Sequence, residues 1–163
     1  MSRLLKGITG TLRRVSGRRT PAPEGAARPA PPVPRQVPTA SRGRRLEYSP
    51  NLDGDADPGE IVWTWVTYED DPAQGKDRPV LVVGRTGRTL LGLMLSSQSE
   101  RDGQRDWLAL GPGGWDRDAR PSWVRLDRII EVDEDGIRRE GAVLDRVRFD
   151  RIAGVLRRDH GWA

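Results

Sequence analysis

Residues 79–84 read Pro-Val-Leu-Val-Val-Gly, an apolar run too short for a buried helix and rich in β-branched side chains. Such a run is a strand, and Pro79 fits its first position, where no ladder donor is missed. Residues 85–88, with Gly87, form a tight turn into a second apolar run at 89–97, so the two runs are expected to pair as a hairpin. Upstream, residues 60–68 (Glu-Ile-Val-Trp-Thr-Trp-Val-Thr-Tyr) combine β-branched and aromatic side chains without helical spacing and read as another strand. A turn-rich loop at 69–77 separates it from the hairpin. Further strands are expected at 106–110 and 122–132, flanking a loop rich in Gly, Asp and Arg, and a short one near 141–144.

The period then changes. Asp145 is a good N-cap, Phe149, Ile152, Val155 and Leu156 recur at three- and four-residue spacing, and Arg157 and Arg158 precede Gly161. This predicts an amphipathic C-terminal α-helix whose terminal charges suit its dipole. Five to six or more short strands and one helix within residues 58–163 predict a mainly β domain, a small barrel, because closing a short sheet removes its exposed edges. SH3-like and OB-like barrels both satisfy the pattern.

Composition narrows the chemistry. A chain of 163 residues that is 35% hydrophobic supports one small core. It has no cysteine and a single histidine, His160, so thiolate metal sites, disulfides and histidine-based triads are set aside; no cofactor and no metal are expected. No apolar run reaches the roughly 18 residues a membrane helix needs, so no integral membrane association is expected and the cytoplasm is the expected compartment.

The net charge of +4 hides an asymmetry. Residues 1–46 hold eleven Lys and Arg against one acid, Glu24, or +10, whereas residues 47–163 hold seventeen against twenty-three, or −6. Residues 20–45 are crowded with proline, alanine, arginine and glycine and offer little to bury, so 1–46 is expected to be a disordered basic arm. Within it, Leu4, Leu5, Ile8, Leu12 and Val15 alternate with basic residues in the pattern of a short amphipathic helix. Residues 47–57 read as an acidic linker and 58–163 as the barrel domain.

Few residues combine reactivity with a suitable setting. Gln74-Gly75-Lys76-Asp77-Arg78-Pro79 puts a glycine and two cations at the mouth of a strand, and Leu95-Ser96-Ser97-Gln98 lies at the exit of the next. A hairpin sets the entry of one strand beside the exit of the other, so Arg78 and Ser96 are expected to be neighbours. Neither segment has the spacing of a triphosphate-binding loop. Trp63 and Trp65 share a strand face and are candidates either for base stacking or for packing. The loop at 111–121 is long enough to border a groove.

These blocks, Gly59-Glu60-Ile61-Val62-Trp63, then Gln74 to Val83, then Leu95 to Gln98, resemble the successive blocks of the MazF/PemK toxins; Ser122-Trp123-Val124-Arg125-Leu126-Asp127-Arg128-Ile129 is similar to the strand that leads to that family's last helix. The resemblance covers the body and not the arm. It implies an SH3-like barrel that forms a homodimer, cleaves single-stranded RNA without a metal, and is restrained by an antitoxin protein. It further implies that Arg78, in its Arg-Pro pair, and Ser96, in the place of a threonine, are catalytic. Gln74, Gly75, Lys76, Ser97, Gln98 and Trp65 are then the expected RNA contacts. Serine retains the hydroxyl but lacks the methyl that restricts its rotamer. Glu69 and Asp77 are candidate proton acceptors. Two rival functions are a non-catalytic SH3-like module binding RNA or protein, and a gyrase-directed toxin of the related CcdB type.

Overall fold

The structure, a computed structural model, describes residues 33–51 and 55–163. The amphipathic pattern at residues 4–15 lies outside the described residues, as do residues 52–54 of the expected linker.

Three strands form the centre: β2 (Glu60–Thr67), β3 (Gly75–Thr86) and β4 (Thr89–Ser96). They run as an antiparallel meander, and β3 turns into β4 through Gly87, whose φ of 58° is reached at little cost only without a Cβ. β7 (Arg128–Asp133) pairs with β4, and β1 (Arg35–Pro38) pairs with β7 on its far side. β8 (Ile137–Val143) pairs with β2, giving the order β1-β7-β4-β3-β2-β8. β5 (Trp107–Gly111) and β6 (Ser122–Arg125) make a smaller ladder that joins the end of β4. The expected mainly β class holds, and the sheet, with the single α-helix found among the described residues, is a small SH3-like barrel.

The near-continuous apolar runs of β3 and β4 arise because both faces of the sheet are covered. Leu81, Val83, Leu91, Leu93 and Leu95 point one way and pack with Phe149, Ile152 and Leu156 of the helix α1 (Arg146–His160). Val80, Val82, Leu90 and Met94 point the other way, into the curl of the sheet, against Val62, Val66, Ile130 and Val132. The helix has the ends expected for it: the Asp145 carboxylate accepts from the Arg148 N–H, and Gly161 closes the helix with φ 70°.

Other expectations change. β3 begins at Gly75, so Pro79 lies inside the strand, opposite Trp63, rather than at its first position, and the end of the loop expected at 69–77 is strand. The run at 122–132 is two strands. It breaks at Leu126 and Asp127 because that corner has partners elsewhere: the Leu126 N–H donates to the Asp106 carbonyl (2.8 Å), and its carbonyl accepts from the Thr39 hydroxyl (2.6 Å). The last strand begins at Ile137, four residues earlier than expected.

The boundary at residue 46 also falls inside the folded body. Val37, Thr39 and Leu46 are buried, and β1 lies in register with β7. Leu46 donates to the Ala163 carbonyl (2.7 Å), and Ala163 donates to that of Arg44 (3.0 Å). Part of the expected linker is likewise fixed, since the Tyr48 hydroxyl donates to the Leu144 carbonyl (2.6 Å) and its ring lies 5.1 Å from that of Phe149. Residues 35–48 thus form a strap over one side of the barrel. Proline is tolerated there because β1 is an edge strand.

Candidate functional site

The pairing of β3 with β4 runs from Thr86/Thr89 to Val80/Met94 and there ends. Below that point β3 continues beside β2, with Arg78 opposite Thr64, while β4 turns to β6, with Ser96 opposite Trp123. The two strands therefore diverge where continued register would set Arg78 facing Ser96. A cleft of about 140 Å³ occupies the fork, and Arg78, Ser96, Lys76, Ser97 and Gln98 all line it. The expected neighbourhood of Arg78 and Ser96 is borne out.

Ser96 is only 4% exposed. Its Oγ accepts the backbone N–H of Gln98 at 3.2 Å, which orients the oxygen and leaves the hydroxyl proton for another acceptor. Arg78 is half-buried and, among the described residues, its side chain forms no hydrogen bond and no ion pair. Burial lowers its pKa from the ordinary value, Tyr68 works in the opposite sense, and the nearby Arg101 lowers it further. The group remains a cation at neutral pH all the same. The pKa of Lys76 is also lowered, first by repulsion from Arg78, then by burial and by Arg120. Unpaired cations held together are poorly stabilised alone, and an anion between them relieves both the desolvation and the repulsion.

The loop between β5 and β6 closes one side. Trp115 is buried, donates its indole N–H to Ser122 Oγ (3.0 Å), and through its carbonyl accepts the indole N–H of Trp63 (3.1 Å). Next to it, the Asp116 carboxylate accepts from the Asp118 N–H (2.9 Å) and from Arg120 Nε (2.9 Å), which fixes Arg120 at the rim. The loop borders a groove, as expected, and it is anchored through an aromatic core residue.

Other expected contacts stand elsewhere. Gln74 is exposed outside the cleft, and its carbonyl closes the preceding loop by accepting the Tyr68 N–H (2.9 Å). Gly75 pairs with Thr67, where an added Cβ would collide with the Val66 carbonyl, so its role is close backbone approach. Trp65 is 37% exposed with the Arg138 guanidinium 5.5 Å from its ring centre, and it does not line the cleft; Trp63 does. Glu69 is paired with Arg125 (2.7 Å) and Asp77 with Arg138 (3.2 Å). Ser122 lines the cleft beside Asp116 and Arg120 of the bordering loop, and nothing local in the sequence marks it for that place.

Among the described residues, no helix is long and apolar enough to cross a membrane. No curated protein matches the chain significantly. A family model for the PemK-like, MazF-like toxin of type II toxin–antitoxin systems matches residues 57–158, which is well over half of the chain. With the matched segment containing β2 to β8, the fork of β3 and β4 and most of α1, the chain belongs to the PemK-like, MazF-like toxin family.

Proposed function

We propose that the chain is a toxin-type endoribonuclease that cleaves single-stranded RNA by attack of a 2′-hydroxyl on the adjacent phosphodiester. The observation that carries this reading is the unpaired, half-buried Arg78 in the same cleft as the buried Ser96 hydroxyl. In the reaction, the 2′-oxygen bonds to phosphorus and the bond to the 5′-oxygen breaks, leaving a 2′,3′-cyclic phosphate and a 5′-hydroxyl. Because RNA supplies the nucleophile, the protein has to position the phosphate and stabilise its growing charge, and no metal enters the scheme. Arg78 pairs with the non-bridging oxygens, and Ser96 donates its hydroxyl proton to one of them. Such preorganised donors commonly supply the largest part of catalysis. Lys76 and Arg120 add positive potential at the rim, where the −6 body otherwise opposes RNA.

Family membership brings an antitoxin protein as the restraining partner, a homodimer as the active assembly and the cytoplasm as the compartment, all within the same proposal. The test is end-group analysis of a labelled single-stranded RNA incubated with the full chain. Wild type is expected to leave cyclic phosphate ends. Removing one such donor typically costs about 10²–10³ in rate, so Arg78→Ala is expected to lose at least that much while unfolding at the wild-type temperature. Cleavage at the wild-type rate by Arg78→Ala would end the assignment. A gyrase-directed toxin would instead leave RNA intact and give toxicity dependent on gyrase.

A further inference from the structure

Arg78 lines two clefts. The second, of about 250 Å³, is lined by Gln36, Tyr68, Arg101 and Arg125 as well, together with the acidic residues Glu69 and Asp70. Gln36 comes from β1, outside the segment that matches the family, so this wall is a property of the chain's own strap.

The groups here suit a nucleotide. Gln36 Nε2 donates to the Thr67 carbonyl over 3.4 Å, a long bond that is easily exchanged, and its Oε1 accepts nothing among the described residues. A glutamine amide offers one donor beside one acceptor, the pattern that pairs with the edge of adenine. Tyr68 contributes an aromatic ring to the wall. Arg125 is already engaged with Asp127 and Glu69, both at 2.7 Å, whereas Arg101, which lies over the Trp107 ring at 4.6 Å and donates to Gln104 Oε1 over a long 3.4 Å, forms no ion pair among the described residues. Arg101 therefore has capacity for a second phosphate next to the one on Arg78.

We propose that this cleft is a nucleotide subsite adjoining the scissile phosphate, and that Gln36 sets the base accepted there, with adenine favoured. The proposal rests on the reading of Arg78 as the holder of the scissile phosphate. It makes the strap a specificity element added to the family barrel. The bidentate amide pairing, rather than Tyr68, carries the discrimination, because every base has a face on which an aromatic ring can stack.

The test uses the full chain and single-stranded oligonucleotides that differ only in the base flanking the cleaved bond, after that bond has been mapped on an RNA of random sequence. Wild type is expected to favour adenine at one flanking position by about tenfold or more in kcat/KM, equivalent to roughly 1.4 kcal/mol. Gln36→Ala is expected to flatten that preference, and Gln36→Glu, which only accepts, to redirect it. The same oligonucleotides with a 2′-deoxy sugar at the cleaved position report binding without cleavage, and their affinities should follow the same order. If Gln36→Ala, folded by its thermal transition, keeps the wild-type preference in both readouts, the subsite assignment is wrong while the nuclease reading stands. If wild type leaves RNA uncut, or Arg78→Ala cuts at the wild-type rate, the nuclease reading fails first and the subsite with it.

Discussion

Trp162 donates its indole N–H to the carbonyl of Thr39 across 3.0 Å, in a buried contact that joins residues 123 apart in sequence. The contact fastens the strap to the segment after α1. Breaking a buried hydrogen bond of this kind leaves an acceptor unsatisfied, at a cost of about 1–3 kcal/mol. Trp162→Phe is expected to lose stability in that range, and Leu46→Ala about 2–5 kcal/mol, as measured by urea unfolding. A chain lacking residues 1–46 should unfold at lower urea than the full chain; an unchanged midpoint would show that the strap contributes nothing.

Asp145 should give the protein an acid-sensitive helix end. Hydrogen bonds from the Arg148 side chain and N–H hold its pKa below the ordinary carboxylate value, so the folded state favours the ionised form. That contribution is fully present above the unfolded pKa and is lost as pH falls through the folded one. Because the cap is exposed, Asp145→Ala is expected to cost about 0.5–1 kcal/mol at neutral pH. The difference between variant and wild type should shrink in acid, which paired unfolding curves across pH would show.

Anion binding should be linked to proton uptake at Lys76. Repulsion from Arg78, burial and Arg120 hold its pKa below the ordinary lysine value, and an anion in the fork favours the charged form and raises it again. In alkaline buffer, phosphate or a short RNA should bind with uptake of a fraction of a proton, and more weakly as pH rises through the bound value. Calorimetry in buffers of different ionisation enthalpy measures the uptake. Lys76→Met should abolish it, and persistence of the uptake in that variant would assign it to another group.

Gly92 should tolerate no side chain. It faces Val82 in the β3 register, and a Cβ there would run into the side chain of Val80. Gly92→Ala is expected to destabilise by about 1–3 kcal/mol. Combining it with Val80→Ala should cost less than the sum of the single changes, because the collision is removed. Strict additivity in the double-mutant cycle would show that the backbone moves aside instead.

The parts of the fold that sequence makes plain are those whose signal is local. The strands β2, β3 and β4 carry their own β-branched runs, Gly87 marks its turn, and Asp145 with Phe149, Ile152 and Leu156 marks the helix. From the hairpin alone, Arg78 and Ser96 come together with Lys76, Ser97 and Gln98. β1 is hidden, because Arg35-Gln36-Val37-Pro38 has one buried apolar residue in a proline-rich setting, and its order comes from β7 and the chain end. The break between β6 and β7 is hidden for the same reason: Asp127 alone is a weak turn signal inside an apolar run, and Thr39 and Asp106 hold the corner from a distance. Trp63 rather than Trp65 reaches the cleft because of where Trp115 lies, and neither parity nor hydrophobicity conveys that.

The parting of β3 and β4 gives the site its mechanical character. Its two tines are braced by different neighbours, β2 behind Arg78 and β6 behind Ser96, so the gap between them is set by how those ladders lean rather than by a shared row of hydrogen bonds. A substrate drawing guanidinium and hydroxyl together would load the joint at Val80 and Met94 like a hinge pin, leaving the hairpin tip at Gly87 at rest.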